Sequence, residues 1–214
     1  MRYDHILLDL DGTLTDPFVG ITGSYRYALA QIGRPVPDDV DLSWVIGPGI
    51  ADNLDRLGVP PSEVDAVVAA YRERHTAVGL YQAVLIPGID ALLAALVEAG
   101  ATLALATAKP ESQGVETLVH FGLDSRFAVI GGIRHPVTTT KGEVVADVLE
   151  RVGVTDRARV VMVGDRRHDI EGAHENGLVA IGVGWGFAAD GELVAAGADH
   201  VVGTVDELRA LLLA

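Results

Sequence analysis

Four short stretches of the 214-residue chain combine residue types that handle phosphate or a divalent cation. The first is Asp9-Leu10-Asp11-Gly12-Thr13, which directly follows the apolar run Ile6–Leu10. Two carboxylates flanking one apolar residue fall on the same side of an extended chain. Asp-Gly is also a common turn pair, so the stretch alone leaves a plain turn and a site equally open. The second is Thr107 at the end of ATLALAT, followed by Ala108 and Lys109. A hydroxyl and adjacent backbone N–H groups at a strand's carboxyl end suit a phosphate. The third is Lys141. The chain has two lysines, Lys109 and Lys141, against 14 arginines, so neither position is casual. Lys141 stands at the expected start of a helix, where the dipole gives a cation nothing, so a nearby anion explains it better. Lys109 also fits as a solvated lysine. The fourth stretch is Val163-Gly164-Asp165-Arg166-Arg167-His168-Asp169. Its two outer carboxylates lie four residues apart on a loop entering a helix and can face one point, with helix capping as the plain alternative for Asp169.

These stretches need strands to present them. From about residue 86 onward, apolar runs alternate with amphipathic segments. Ala101–Thr107 and Arg159–Val163 read as strands buried on both faces, with Leu178–Val183 and His200–Val202 as weaker ones. Ile6–Leu10 reads as one more. Pro87 suits the first turn of a helix over Asp90–Ala99, which Gly100 ends. Val144, Val145, Val148, Leu149 and Val152 trace one stripe of a helix over Lys141–Val152. Strands alternating with helices predict an α/β fold: a Rossmann-like parallel sheet with helices on both faces. Residues 16–85 break the rhythm. They read as helices over Phe18–Ile32, Asp39–Ile46, Ile50–Leu57 and Ser62–Val78, with no convincing strand, separated at Gly47-Pro48-Gly49 and Val59-Pro60-Pro61. The expected organisation is a core over 1–15 and 86–214 with a helical insertion over 16–85, hinged near Asp16–Val19 and Tyr81–Ile86.

If the four stretches meet at the carboxyl ends of the strands, Asp9, Asp11, Asp165 and Asp169 crowd one cleft. Such crowding requires a bound cation or a retained proton. An all-oxygen donor set without His or Cys pairing favours Mg²⁺ over zinc. Composition narrows the partners. Half the residues are hydrophobic (49%), 21% are charged and the formal net charge is −14. That balance gives a sizeable core and argues against nucleic acid or an anionic membrane surface. Without cysteine, disulfides, thiolate nucleophiles and zinc ribbons are excluded. The N-terminal apolar stretch is too short and too acidic for a signal peptide, so the cytoplasm is the expected compartment.

The ordered set Asp9-x-Asp11-Gly12-Thr13, Thr107, Lys141 and Gly164-Asp165…Asp169 resembles the haloacid dehalogenase superfamily over nearly the whole chain. Within it, Tyr71-Arg72-Glu73-Arg74-His75, Gly79-Leu80-Tyr81 and Gly164–Ile170 are similar to the phosphoglycolate phosphatase-like subgroup. That resemblance implies an α-helical cap in the insertion and hydrolysis of a small phosphorylated metabolite. It implies that Asp9 attacks phosphorus and carries an aspartyl-phosphate, while Asp11 protonates the leaving alkoxide and then activates water. It further implies that Gly12, Thr107, Ala108 and Lys141 hold the phosphoryl group. Mg²⁺ would be bound by Asp9, the Asp11 backbone carbonyl and Asp165, with Asp169 behind them. Relatives often carry Asn or a small polar residue where this chain has Ala108, so only the backbone N–H can serve there.

Gly182-x-Gly184-x-Gly186 has the wrong spacing for a dinucleotide fingerprint and reads as a glycine-rich loop. His168 reads as a surface histidine. Arg56, Arg72 and the Gly47-Pro48-Gly49 turn are candidates for substrate contact from the insertion. Four rival readings remain. A 5'-nucleotidase and a sugar-phosphate phosphatase or mutase share the core chemistry. In a dehalogenase Asp11 would be useless, because a halide leaves without a proton. A phospho-accepting receiver domain is disfavoured by the insertion and by the Asp-x-Asp spacing.

Overall fold

The computed structural model describes residues 2–135 and 138–214. It divides into two compact units, Met1–Asp16 with Leu85–Ala214, and Pro17–Val84. Both boundaries fall within the linkers singled out in the sequence.

The first unit is built on a six-stranded sheet of β1 (His5–Leu8), β4 (Thr102–Pro110), β5 (Phe127–Ile133), β6 (Val160–Gly164), β7 (Val179–Val183) and β8 (His200–Val202), in the order β5-β4-β1-β6-β7-β8. Every pairing is parallel, with Leu8 opposite both Leu105 and Val163. Two short strands, β2 (Thr15–Asp16) and β3 (Val84–Leu85), form a separate two-stranded sheet, although no strand is expected between Ile6–Leu10 and Ala101–Thr107. Side-chain alternation sorts the strands into two cores. Ile6, Leu8, Leu103, Leu105, Val161 and Val163 pack on one face with α4 (Ile89–Glu98) and α9 (Val205–Leu213). Leu7, Ala104, Ala106, Val160 and Met162 pack on the other with α6 (Lys141–Val152) and α7 (Arg167–Glu175). Both faces are covered, as a parallel sheet requires. The chain builds outward from β1 on one side and then returns to build outward on the other. The switch point is therefore at the carboxyl ends of β4, β1 and β6, where an open α/β sheet has its ligand crevice.

Several expectations change. β1 ends at Leu8 rather than Leu10, because the Leu10 carbonyl accepts from the amides of Thr13, Leu14 and Thr15 and turns the chain. β4 runs past Thr107 to Pro110 through a register shift after Ala106. Pro87 precedes Gly88, the left-handed N-cap residue of α4, rather than sitting in its first turn. β5 and the helices α5 (Glu111–His120) and α9 have no counterpart among the expected elements, whereas α7 begins where the Asp165–Asp169 loop is expected to enter a helix.

The second unit contains α1 (Phe18–Gln31), α2 (Ile50–Arg56) and α3 (Val64–Ala77). The helix expected over Asp39–Ile46 is a single 3₁₀ turn at Ser43–Val45. The Asp41 carboxylate accepts from the Ser43 amide and hydroxyl, offering the backbone a local alternative to helix. Asn53 donates to the Tyr25 hydroxyl and the Val45 carbonyl inside this unit. The Arg56 guanidinium lies over the Trp44 ring, 3.9 Å from its centre, and Arg72 is exposed on α3. No helix among the described residues is long and apolar enough to cross a membrane.

Candidate active site

The loop after β1 carries Asp9, Asp11, Gly12 and Thr13. Asp9 still pairs its amide with the Val163 carbonyl, so its backbone is fixed to β6 even though the strand has ended. Its carboxylate is buried and accepts from the Lys141 ammonium at 2.6 Å. Asp11 turns to a different cation. Lys109 reaches both of its oxygens, at 3.0 and 2.8 Å, with side chains 7% and 14% exposed. The turn, not strand alternation, thus places the two carboxylates, and each meets its own ammonium.

Of the two readings open for Lys109, its burial against Asp11 excludes the solvated one. The irregular end of β4 turns it inward. The Lys109 amide also donates to the Thr107 hydroxyl at 3.2 Å, so Thr107 is buried with its own proton free to point elsewhere. Ala108, between them, is exposed. Gly12 corrects another expectation. Its amide donates to the Thr15 carbonyl at 2.7 Å and is not available to hold a phosphoryl oxygen. What Gly12 supplies is proximity: it has φ +88°, and a Cβ there would collide with the Asp165 carboxylate.

Lys141 opens α6, whose start is fixed by a capping box between Thr140 and Glu143. That cap anchors a buried lysine at a position a helix dipole disfavours, and two anions compensate. Its ammonium lies 2.6 Å from both Asp9 Oδ1 and Asp169 Oδ1. Burial opposes the charge of Lys141, and Asp169 and Asp9 more than reverse this, raising its pKa.

Asp165 and Asp169 come from the end of β6 and the first turn of α7. Asp169 Oδ2 accepts from the Arg166 amide at 2.9 Å, and Asp165 Oδ2 from the Phe187 amide at 2.7 Å. Asp165 is fully buried, and its Oδ1 has no hydrogen-bond partner. The glycine-rich stretch set aside in the sequence belongs here after all. Gly186 lies so close to Asp165 that a Cβ would collide with it, and Trp185 donates from Nε1 to the Thr13 carbonyl at 3.2 Å. His168 stays at the surface, beside Glu171.

One carboxylate oxygen from each of Asp9, Asp165 and Asp169 lies within 4.8 Å of the others, and all three residues are buried. Burial pushes the Asp9 carboxyl up to about 7, against the pull of Lys141 and with the push of Asp169. Burial likewise raises Asp165 well above the usual carboxylate range, followed by the charges of Asp169 and Asp9. Three buried carboxylates facing one ammonium, with an orphaned Asp165 oxygen, fit a divalent cation held by oxygen ligands. The fit has a measurable consequence. In the cation-free protein, Asp9 has a folded pKa near 7 against an ordinary value of 3.8, so its contribution to stability is lost as pH rises through that window. A cation needs the ionised carboxylates and releases their protons on binding. The rise in Tm on adding Mg²⁺ is therefore expected to be small near about pH 5 and to grow towards about pH 8. Thermal melts with Mg²⁺ or chelator across that range check this, and a gain independent of pH refutes it.

Residues 6–183 match the family described as haloacid dehalogenase-like hydrolase. The chain is 40% identical to a 5'-nucleotidase of Pseudomonas aeruginosa, covering 99% of this chain and 96% of that protein. It is 39% identical to PtkA of Mycobacterium tuberculosis, named a tyrosine-protein kinase, covering 97% of this chain and 72% of that one. The solved structure of PtkA matches with a TM-score of 0.85 at 37% identity, over 99% of this chain and 98% of that one. A phosphoglycolate phosphatase of Cupriavidus necator is 31% identical, over 97% of this chain and 92% of its own length.

Proposed function

The chain belongs to the haloacid dehalogenase-like hydrolases, and from that membership we propose that it is a Mg²⁺-dependent phosphomonoesterase of small phosphorylated metabolites. The observation that carries the proposal is the separation of Asp9 and Asp11 onto two ammonium groups, Lys141 and Lys109. Neighbouring carboxylates in different surroundings can take different parts in one reaction.

In this reading an Asp9 oxygen attacks phosphorus, the bond to the alcohol oxygen breaks, and Asp11 delivers a proton to that oxygen. Asp11 then takes a proton from water, the water oxygen attacks the phosphorus carried on Asp9, and inorganic phosphate departs with Asp9 regenerated. The Thr107 hydroxyl, the Ala108 amide and the Lys141 ammonium hold the phosphoryl oxygens. Lys109 keeps Asp11 in place until the substrate arrives. Asp9, Asp165 and the Asp11 carbonyl would hold Mg²⁺, with Asp169 behind them. The ion supplies charge compensation that allows a dianionic phosphate to enter a site already lined with carboxylates.

Relatives named for 5'-nucleotide and phosphoglycolate hydrolysis bracket the substrate class. Phosphate release from 2-phosphoglycolate, nucleoside 5'-monophosphates and sugar phosphates, with Mg²⁺ or chelator, is the test. ATP with a tyrosine peptide joins the panel because of the kinase-named relative. Turnover above about 1 s⁻¹ on one class of monoester, abolished by chelator, is expected. Chelator-insensitive release, or transfer to the peptide without hydrolysis of any monoester, overturns the reading.

A further inference from the structure

The stretch after β7 is tied to the candidate site at three points, and the third is a residue outside the four motifs. Trp185 donates to the Thr13 carbonyl at 3.2 Å, and the Phe187 amide to Asp165 at 2.7 Å. The third tie is Glu192, at the start of α8 (Glu192–Ala195). Glu192 Oε1 accepts from Arg166 Nε and from the Arg167 amide, both at 2.9 Å, and Oε2 from the Ala189 amide at 3.1 Å. The Arg166–Glu192 pair is largely sheltered, with side chains 12% and 13% exposed.

The position of these bonds gives them meaning. The N-cap residue of α7 is Arg166, whose side chain has no acceptor for the unsatisfied amides of the first turn. Asp169 takes one of these duties through the Arg166 amide, but its other oxygen is committed to Lys141. Glu192 supplies the missing acceptor from another helix, at the Arg167 amide. One carboxylate therefore sits between the segment that presents Asp165 and Asp169 and the segment whose Phe187 amide grips Asp165.

We propose that Glu192 is a positioning residue for the cation site: it touches neither cation nor substrate, but sets where Asp165 and Asp169 stand. The inference rests on the metal-site reading above. Outer partners of metal-binding carboxylates change affinity by about 10- to 100-fold when removed.

The test is equilibrium Mn²⁺ binding in the absence of substrate, followed by electron paramagnetic resonance, on the full chain well below its Tm. Glu192→Ala is expected to weaken Mn²⁺ binding by about tenfold. Glu192→Gln keeps one acceptor oxygen, enough for the Arg167 amide though not for the Ala189 amide as well, and is expected to recover part of that loss. Wild-type affinity in Glu192→Ala, even with a lowered Tm, overturns the proposal and leaves Glu192 as a fold latch. Equal loss in both variants also overturns it. Arg166→Gln opens the clamp from the other side, so if Glu192→Ala does not fold, weakened binding in Arg166→Gln supports the proposal and unchanged binding refutes it. Failure of the wild type to bind Mn²⁺ at all, with Asp165→Ala as the reference for a broken site, refutes the metal site itself.

Discussion

Asp9→Asn is expected to lower kcat on the preferred phosphomonoester by at least about 10⁴-fold while leaving the protein folded, as loss of a nucleophile does when no neighbour can replace it. The amide is isosteric with the carboxylate and keeps an oxygen that can accept from Lys141, which bonds Asp9 at 2.6 Å. What it loses is the charge and nucleophilicity that an attack on phosphorus requires. Asp165 and Asp169 are each anchored through one oxygen to a backbone amide, and the other oxygen of Asp169 is bonded to Lys141. The substitution also removes one of three crowded negative charges, one whose pKa burial has already pushed up to about 7. Asn at position 9 should therefore leave the metal-free protein at least as stable as wild type above neutral pH. Loss of activity together with an undiminished Tm separates chemistry from folding. Turnover within tenfold of wild type removes Asp9 from the nucleophile's role.

The sequence made some of this architecture legible because particular residues carry their structure locally. The helix α6 is marked at both ends, by the Thr140–Glu143 capping box and by Gly153 in the left-handed conformation, and its apolar stripe shows the face it buries. The two-sided apolar character of β4, β6 and β7 follows from helices covering both faces of the sheet, which is visible in one dimension. β5 is different. Its Gly131 and Gly132 look like loop residues, yet a Cβ at Gly131 would strike Val148 on α6, and one at Gly132 would meet the backbone of Lys109 and Glu111. Their identity is dictated by neighbours distant in sequence, and nothing local betrays a strand. The site divides in the same way. Asp9, Asp11, Asp165 and Asp169 announce themselves by type and spacing. Lys109, Gly186, Phe187 and Glu192 act through a register shift, a close approach, a backbone amide and a cap lent from another helix. Each of those needs the fold before it has meaning.

Asp11→Asn is expected to separate the two halves of the reaction according to the leaving group. An alkyl phosphate expels a strongly basic alkoxide, so losing the proton donor should slow formation of the phosphorylated Asp9 by about 10²- to 10⁴-fold. p-Nitrophenyl phosphate expels a phenolate that needs no proton, and the same variant should phosphorylate Asp9 from it at close to the wild-type rate. The second half-reaction still lacks its base, because Asp11 is also the group that draws the proton from water. With p-nitrophenyl phosphate, the variant should therefore release about one equivalent of nitrophenolate in a burst and then turn over slowly. The Lys109 ammonium, bonded to both Asp11 oxygens, loses its counter-charge in this variant, so Asp11→Asn with Lys109→Met serves as the control for that loss. A burst in both variants assigns it to the missing acid–base group, whereas a burst confined to the single variant assigns it to the unpaired lysine. Equal slowing of alkyl and nitrophenyl esters, without a burst, would show that Asp11 does not handle the leaving-group proton. The distinction also bears on the dehalogenase reading, since only ester cleavage makes the effect of Asp11 depend on the basicity of what departs.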